Sequence, residues 1–165
     1  MKTLAVWSYL LNSFWLIVPA LVWNILFASR LPKAFSAEMF SKGVPRAVAV
    51  PENVLRALVF VVPCFMPLSV TSSRQRIGLV VYAAGMLAYF AAWILLMVCP
   101  QSRWSTGWAG FVAPAYTPLV WLLGIGLISE SLYFAVPYQW WYFAVGAAAF
   151  VFFHVWHTGL VYSSH

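Results

Sequence analysis

Glu52 and Arg56 stand four residues apart, and His154 and His157 three apart, spacings that put each pair on one face of a helix. Two imidazoles and a carboxylate are the parts of a general acid/base centre, and an arginine beside them is the natural clamp for a phosphate or carboxylate. His154, His157 and Glu52 are therefore the candidate catalytic residues. Each also has a plainer reading. Pro51-Glu52-Asn53-Val54-Leu55-Arg56 reads as a helix entry, with Pro51 opening it and Glu52 meeting the positive end of the helix dipole while pairing Arg56. The two histidines serve equally well as structural residues near a membrane interface. A metal site needs a third donor, which only Glu52 or His165 could supply, so no metal and no other cofactor is expected.

A second group of residues suits a ligand better than a reaction. Ser8, Asn12, Trp15, Pro19 and Trp23 recur at spacings of four, three, four and four, which predicts one polar, tryptophan-lined helix face. Asn24 follows one position later. With Asn53 and Arg56, and with Arg103 and Tyr116 from further along the chain, these residues make a candidate binding set. The arginines would attract an anionic group, and Trp15, Trp23 and Tyr116 would enclose an apolar one.

Other chemistries are excluded by composition. The chain has no Asp and only Glu38, Glu52 and Glu130, so aspartate pairs and Asp-rich metal motifs are impossible. Its nine Lys and Arg are scattered through short loops instead of clustered, which speaks against nucleic acid. Cys64 and Cys99 form no zinc or disulfide pattern and read as small buried hydrophobes.

The elements that must position these residues follow from apolar content. Of 165 residues 64% are hydrophobic and 7% charged, and mean hydropathy is +0.89. Neither a water-exposed globular surface nor a disordered chain fits those values. Five apolar runs, at about 4–28, 52–71, 77–99, 110–129 and 140–162, are each near the ~20 residues that cross a bilayer. The fold expected is a single all-α domain spanning 1–165, an integral membrane bundle of five transmembrane helices. Between the first two runs, Leu31, Phe35 and Met39 recur every four residues after Pro32, which predicts a short interfacial helix with Lys33, Glu38 and Lys42 toward headgroups. Ala84, Ala88 and Ala92 predict a packing seam on the third run, and Pro114 and Pro118 predict bends in the fourth.

Five crossings put the termini on opposite sides. Arg30, Lys33, Lys42, Arg46, Arg56 and Arg103 fall at one membrane face, against Lys2, Arg74 and Arg76 at the other, which predicts the N-terminus outside and the C-terminus in the cytoplasm. Asn24, Glu52, Arg56, His154 and His157 then gather at the cytoplasmic pole, while Glu130 faces Arg74 and Arg76 at the other. The function expected is to bind or pass a small amphipathic or lipid-like molecule, or to act as the membrane subunit of a complex. The alternative is a membrane-embedded enzyme that acts on a lipid or isoprenoid through a His/Glu acid-base pair. Its partners on the first reading are membrane lipids, the ligand, and further copies of itself or a larger complex.

Overall fold

The computed structural model describes residues 10–41 and 43–164. Lys2, Ser8, Lys42, His165 and the part of the first run before Leu10 lie outside them. The described residues fold as helices, with no strand beyond a lone bridge between Asn12 and Pro67.

The first run is not one helix from residue 10 onward. Asn12 accepts the Phe14 N–H on its side chain at 3.1 Å, and the backbone on either side of it is tied to the second run, Ser13 N–H to the Met66 carbonyl at 2.8 Å and Leu68 N–H to the Leu11 carbonyl at 2.9 Å. A side chain that caps the backbone in this way competes with helix continuation. A 3-10 turn over Ser13–Leu16 follows, and then α1 (Val18–Phe27), with Pro19 in the first turn, where a missing N–H is harmless.

The connector differs from the interfacial helix that its spacing predicts. Pro32 and Ser36 are extended, so the segment divides into 3-10 turns at Ala28–Arg30 and Lys33–Phe35 and the five-residue α2 (Ala37–Ser41). Its apolar residues turn onto the bundle: the Phe35 ring stacks on Phe111 at 4.5 Å and the Phe40 ring on His157 at 4.6 Å.

Helix α3 (Arg46–Val61) starts six residues before the expected position, because extended Pro45 opens it and Pro51 is accommodated inside. A 3-10 turn over Val62–Phe65 carries it on to Met66. Helix α4 (Ser73–Val98) begins in a capping box, with Ser72 and Gln75 each accepting the other's backbone N–H. Gln75 is almost fully buried. Its Oε1 also accepts from the Thr71 backbone, and its Nε2 donates to Ser69 Oγ at 2.8 Å and to the Ile128 carbonyl at 3.1 Å.

Helix α5 (Arg103–Thr106) precedes the fourth run, which divides into α6 (Trp108–Phe111), begun two residues early, α7 (Ala113–Tyr116) and α8 (Pro118–Ile128). Pro114 and Pro118 each stand in the first turn of a new piece, as the missing N–H of proline requires. The Thr117 hydroxyl donates to the Ala113 carbonyl at 2.7 Å beside the second break. Helix α9 (Trp140–Ser163) is continuous.

Helices α4 and α8 pack with their backbones in contact, and the residues that permit this are glycines. A Cβ at Gly85 would lie 2.4 Å from the Trp121 nitrogen, and one at Gly124 would lie 2.5 Å from the Tyr82 nitrogen. Ala84 and Ala88, the predicted seam, face outward, and of the three alanines Ala92 alone is buried. Cys99 is likewise exposed and Cys64 half-buried.

Four stretches are long and apolar enough to cross a membrane: Ser13–Arg30, Arg46–Phe65, Ser73–Val98 and Trp140–Ser163. Ala113–Ile128 is apolar but shorter. Apolar side chains fill the core and also cover much of the surface, and a few polar ones are buried. Ile25, Leu87 and Val98 are exposed over 80%, 70% and 72% of their surface, while Ser13, Glu52 and Gln75 are at most 1% exposed.

Candidate functional site

The site forms where α3 meets α9. Packing of these helices brings Glu52, buried on α3, against the face of α9 that carries both histidines. Glu52 Oε1 receives Arg56 from the next turn of its own helix and lies 2.9 Å from His154 Nδ1, while Oε2 meets His157 Nδ1. The far side of His157 is also occupied, since its Nε2 lies 2.7 Å from the Phe40 carbonyl of α2.

Valence assigns the protons. A carbonyl oxygen only accepts, so His157 Nε2 carries a hydrogen. The contact between His157 Nδ1 and Glu52 Oε2 needs one more, held on either partner, and in both cases the two residues together are neutral. Oε1 accepts from the Arg56 guanidinium, so His154 donates to it from Nδ1, and as the neutral tautomer it keeps a lone pair on Nε2. With His154 neutral the cluster sums to one positive charge, that of Arg56, and both oxygens of Glu52 are engaged. A charge buried this deeply is tolerated because it is paired and hydrogen-bonded.

Beside the cluster is a cavity of about 390 Å³. Its wall is mainly apolar and aromatic, with Leu21 from α1, Phe60 from α3, Tyr89 and Trp93 from α4, Trp121 from α8 and Phe150 from α9. The connector covers it with Ala28, Leu31, Phe35 and Phe40. Polar groups enter at few points: Arg56, His154 and Thr158 near the cluster, and Asn24 with Tyr89, whose hydroxyl donates to Asn24 Oδ1. The His154 ring is held in place by its bond to Glu52 and by parallel stacking on Phe150 at 5.4 Å. Its Nε2 has no partner among the described residues.

Of the residues singled out from sequence, Arg56, Asn24 and His154 line this cavity, and Glu52 and His157 stand behind them. The others lie elsewhere. Trp15 is exposed, its indole donating to the Leu10 carbonyl at 2.8 Å. Trp23 packs between Phe27 and Phe90, 4.4 Å from each ring, away from the wall. Asn53 and Arg103 are exposed, and half-buried Tyr116 sits between the two hydrophobic clusters. Glu130 forms the expected surface pair with Arg74 at 3.2 Å and accepts from Ser72, a contact of small energetic weight.

Sequence reasoning missed Tyr89, Trp93, Trp121 and Thr158. Tyr89 and Trp93 do share an i, i+4 face with Gly85, and that signal could have placed them inward. Among the described residues no group of three His, Cys, Asp or Glu is arranged to hold a metal ion. The Nδ1 atoms of both histidines and both oxygens of Glu52 are turned on one another, which leaves one free ring nitrogen, on His154.

No family model, curated protein or solved structure matches this chain.

Proposed function

We propose that the chain is an integral membrane protein whose cavity binds a small amphipathic molecule, with the anionic end of the ligand at Arg56 and its apolar part against the aromatic wall. The observation that carries this reading is the charge at the cavity's polar end: both oxygens of Glu52 are turned on Arg56 and the two histidines, so among the described residues Arg56 supplies the charge that lines the cavity and no carboxylate faces it. An aliphatic and aromatic wall with a few convergent polar groups is the usual composition of a small-molecule site.

Five crossings complete the reading, with the broken fourth run counted as one of them, the N-terminus outside and the C-terminus cytoplasmic. The cavity then lies near the cytoplasmic face, within reach of a molecule entering from the lipid. Membrane lipids surround the exposed apolar side chains, and other subunits would attach there.

Native mass spectrometry of the chain released from gentle detergent tests this. The expected result is a stoichiometric small molecule, lost in Arg56→Ala. Its mass separates a bilayer phospholipid from a free metabolite. A wild-type chain carrying nothing, or retention unchanged by Arg56→Ala, overturns the site assignment.

The geometry of His154 favours a second reading, catalysis in the same cavity. A carboxylate fixes Nδ1–H and leaves the Nε2 lone pair as base, the arrangement in which histidine abstracts a proton. On this reading His154→Ala stops turnover without emptying the site, so the variant co-purifies with a species of different mass from that held by the wild type. The same mass in both chains leaves binding as the function.

A further inference from the structure

The cavity wall offers hydrogen-bond donors without acceptors among the described residues, the indole N–H groups of Trp93 and Trp121. Trp121 is 4% exposed, and its Nε1–H finds no acceptor among the described residues. Its ring forms part of the wall, beside Tyr89. Asn24 is oriented by Tyr89, whose hydroxyl donates to Oδ1, so the Nδ2 hydrogens remain for another partner. Buried N–H groups without partners are rare, and each weakens the fold unless something fills its place. Trp23 also has an indole N–H without an acceptor, but its ring packs against Phe27 and Phe90 and is not part of the wall.

We propose that the ligand of this cavity carries, besides its anionic end, a carbonyl oxygen set within its apolar part, which accepts from Trp121 Nε1–H and Asn24 Nδ2–H. This rests on the binding reading above and narrows its ligand class. A carbonyl fits better than a hydroxyl or a trapped water. Its two lone pairs take two donors, and it brings no hydrogen of its own that would need an acceptor. A ligand with a plain hydrocarbon tail leaves both donors unpaired in the bound state. The ligand class is thus an oxo-acid or an acyl ester or amide with an anionic head, in preference to a simple fatty acid.

The experiment uses the full chain in detergent, stearate, and a panel of oxostearates whose carbonyl is stepped along the chain, each competed against stearate and read by native mass spectrometry. Octadecyl phosphate run beside stearate decides which anionic head is preferred, and the carbonyl comparison is made with that head. One carbonyl position is expected to bind about tenfold more tightly than the plain chain, the scale of one recovered hydrogen bond. Trp121→Phe should cut that preference to the part that Asn24 supplies, and Trp121→Phe combined with Asn24→Leu should bring the two to parity, while Arg56→Ala should remove both. Equal binding of every isomer and of the plain chain overturns the inference. If Arg56→Ala still abolishes that binding, the anionic site stands without the carbonyl. Failure of the wild type to bind any probe overturns both. The wild-type comparison is decisive without any variant, and a preference undiminished in Trp121→Phe also overturns the role given to that residue.

Discussion

Glu52→Ala is expected to lower stability by about 3–5 kcal/mol, the cost of removing one partner from a buried ionic cluster. The loss exceeds that of a single salt bridge because one side chain holds three others. Without it the Arg56 side chain, 40% exposed, loses its counter-ion, and His154 and His157 lose the acceptor that orients their rings. Arg56→Met should cost less, since Glu52 keeps both imidazoles and the methionine fills similar space. Thermal unfolding in a fixed detergent measures both. A drop on the order of 10 °C for Glu52→Ala is anticipated from ordinary enthalpy scaling, with a clearly smaller one for Arg56→Met. Equal effects of the two variants would mean that the cluster is not centred on the carboxylate.

The second large effect lies at the contact between α4 and α8. Gly85→Ala places a methyl group 2.4 Å from a backbone nitrogen, and no rotamer relieves that overlap, so the helices must separate. Overpacking of this kind costs about 1–3 kcal/mol, and Gly124→Ala should behave alike because its added carbon meets the Tyr82 backbone at 2.5 Å. Trp121 forms part of the cavity wall, so separation there should also weaken ligand retention. Gly146→Ala is the control: nothing lies within 4 Å of its added carbon, and alanine is the better helix former. Melting temperatures of the three variants check the ordering. A Gly85→Ala chain as stable as wild type would show that the two backbones do not touch.

The parts of the site that sequence makes visible are those whose neighbours are local. Glu52 with Arg56, and His154 with His157, share helix faces by spacing alone, and both pairs are found as expected. That Glu52 meets both histidines depends on packing between residues more than 100 positions apart, which spacing does not encode. The tryptophan face of the first run fails for a specific reason. Its register assumes 3.6 residues per turn, and the 3-10 turn at Ser13–Leu16 winds more tightly, so Trp15 and Trp23 part company. The seam on α4 was sought in alanines because small residues are interchangeable in a pattern. Only glycine lets backbones touch, and the choice between the two faces rests on the partner helix. Tyr89, Trp93 and Trp121 were hidden by abundance, three aromatic residues among thirty-one.

The pairing inside α3 bears on how the chain enters a membrane in the first place. His154 lies 102 residues beyond Glu52, so a nascent chain exposes the carboxylate to the insertion machinery long before α9 exists. During that interval Arg56, one turn away, is the only member of the cluster already synthesised beside it. The two charges cancel locally, which lowers the cost of carrying Glu52 and Arg56 into lipid before an assembly partner exists and leaves Arg46, the first residue of α3, as its net charge. The histidines arrive afterwards and convert a temporary local pair into a fixed tertiary one, so on the proposed binding reading the arginine that eases insertion is also the one that meets the ligand.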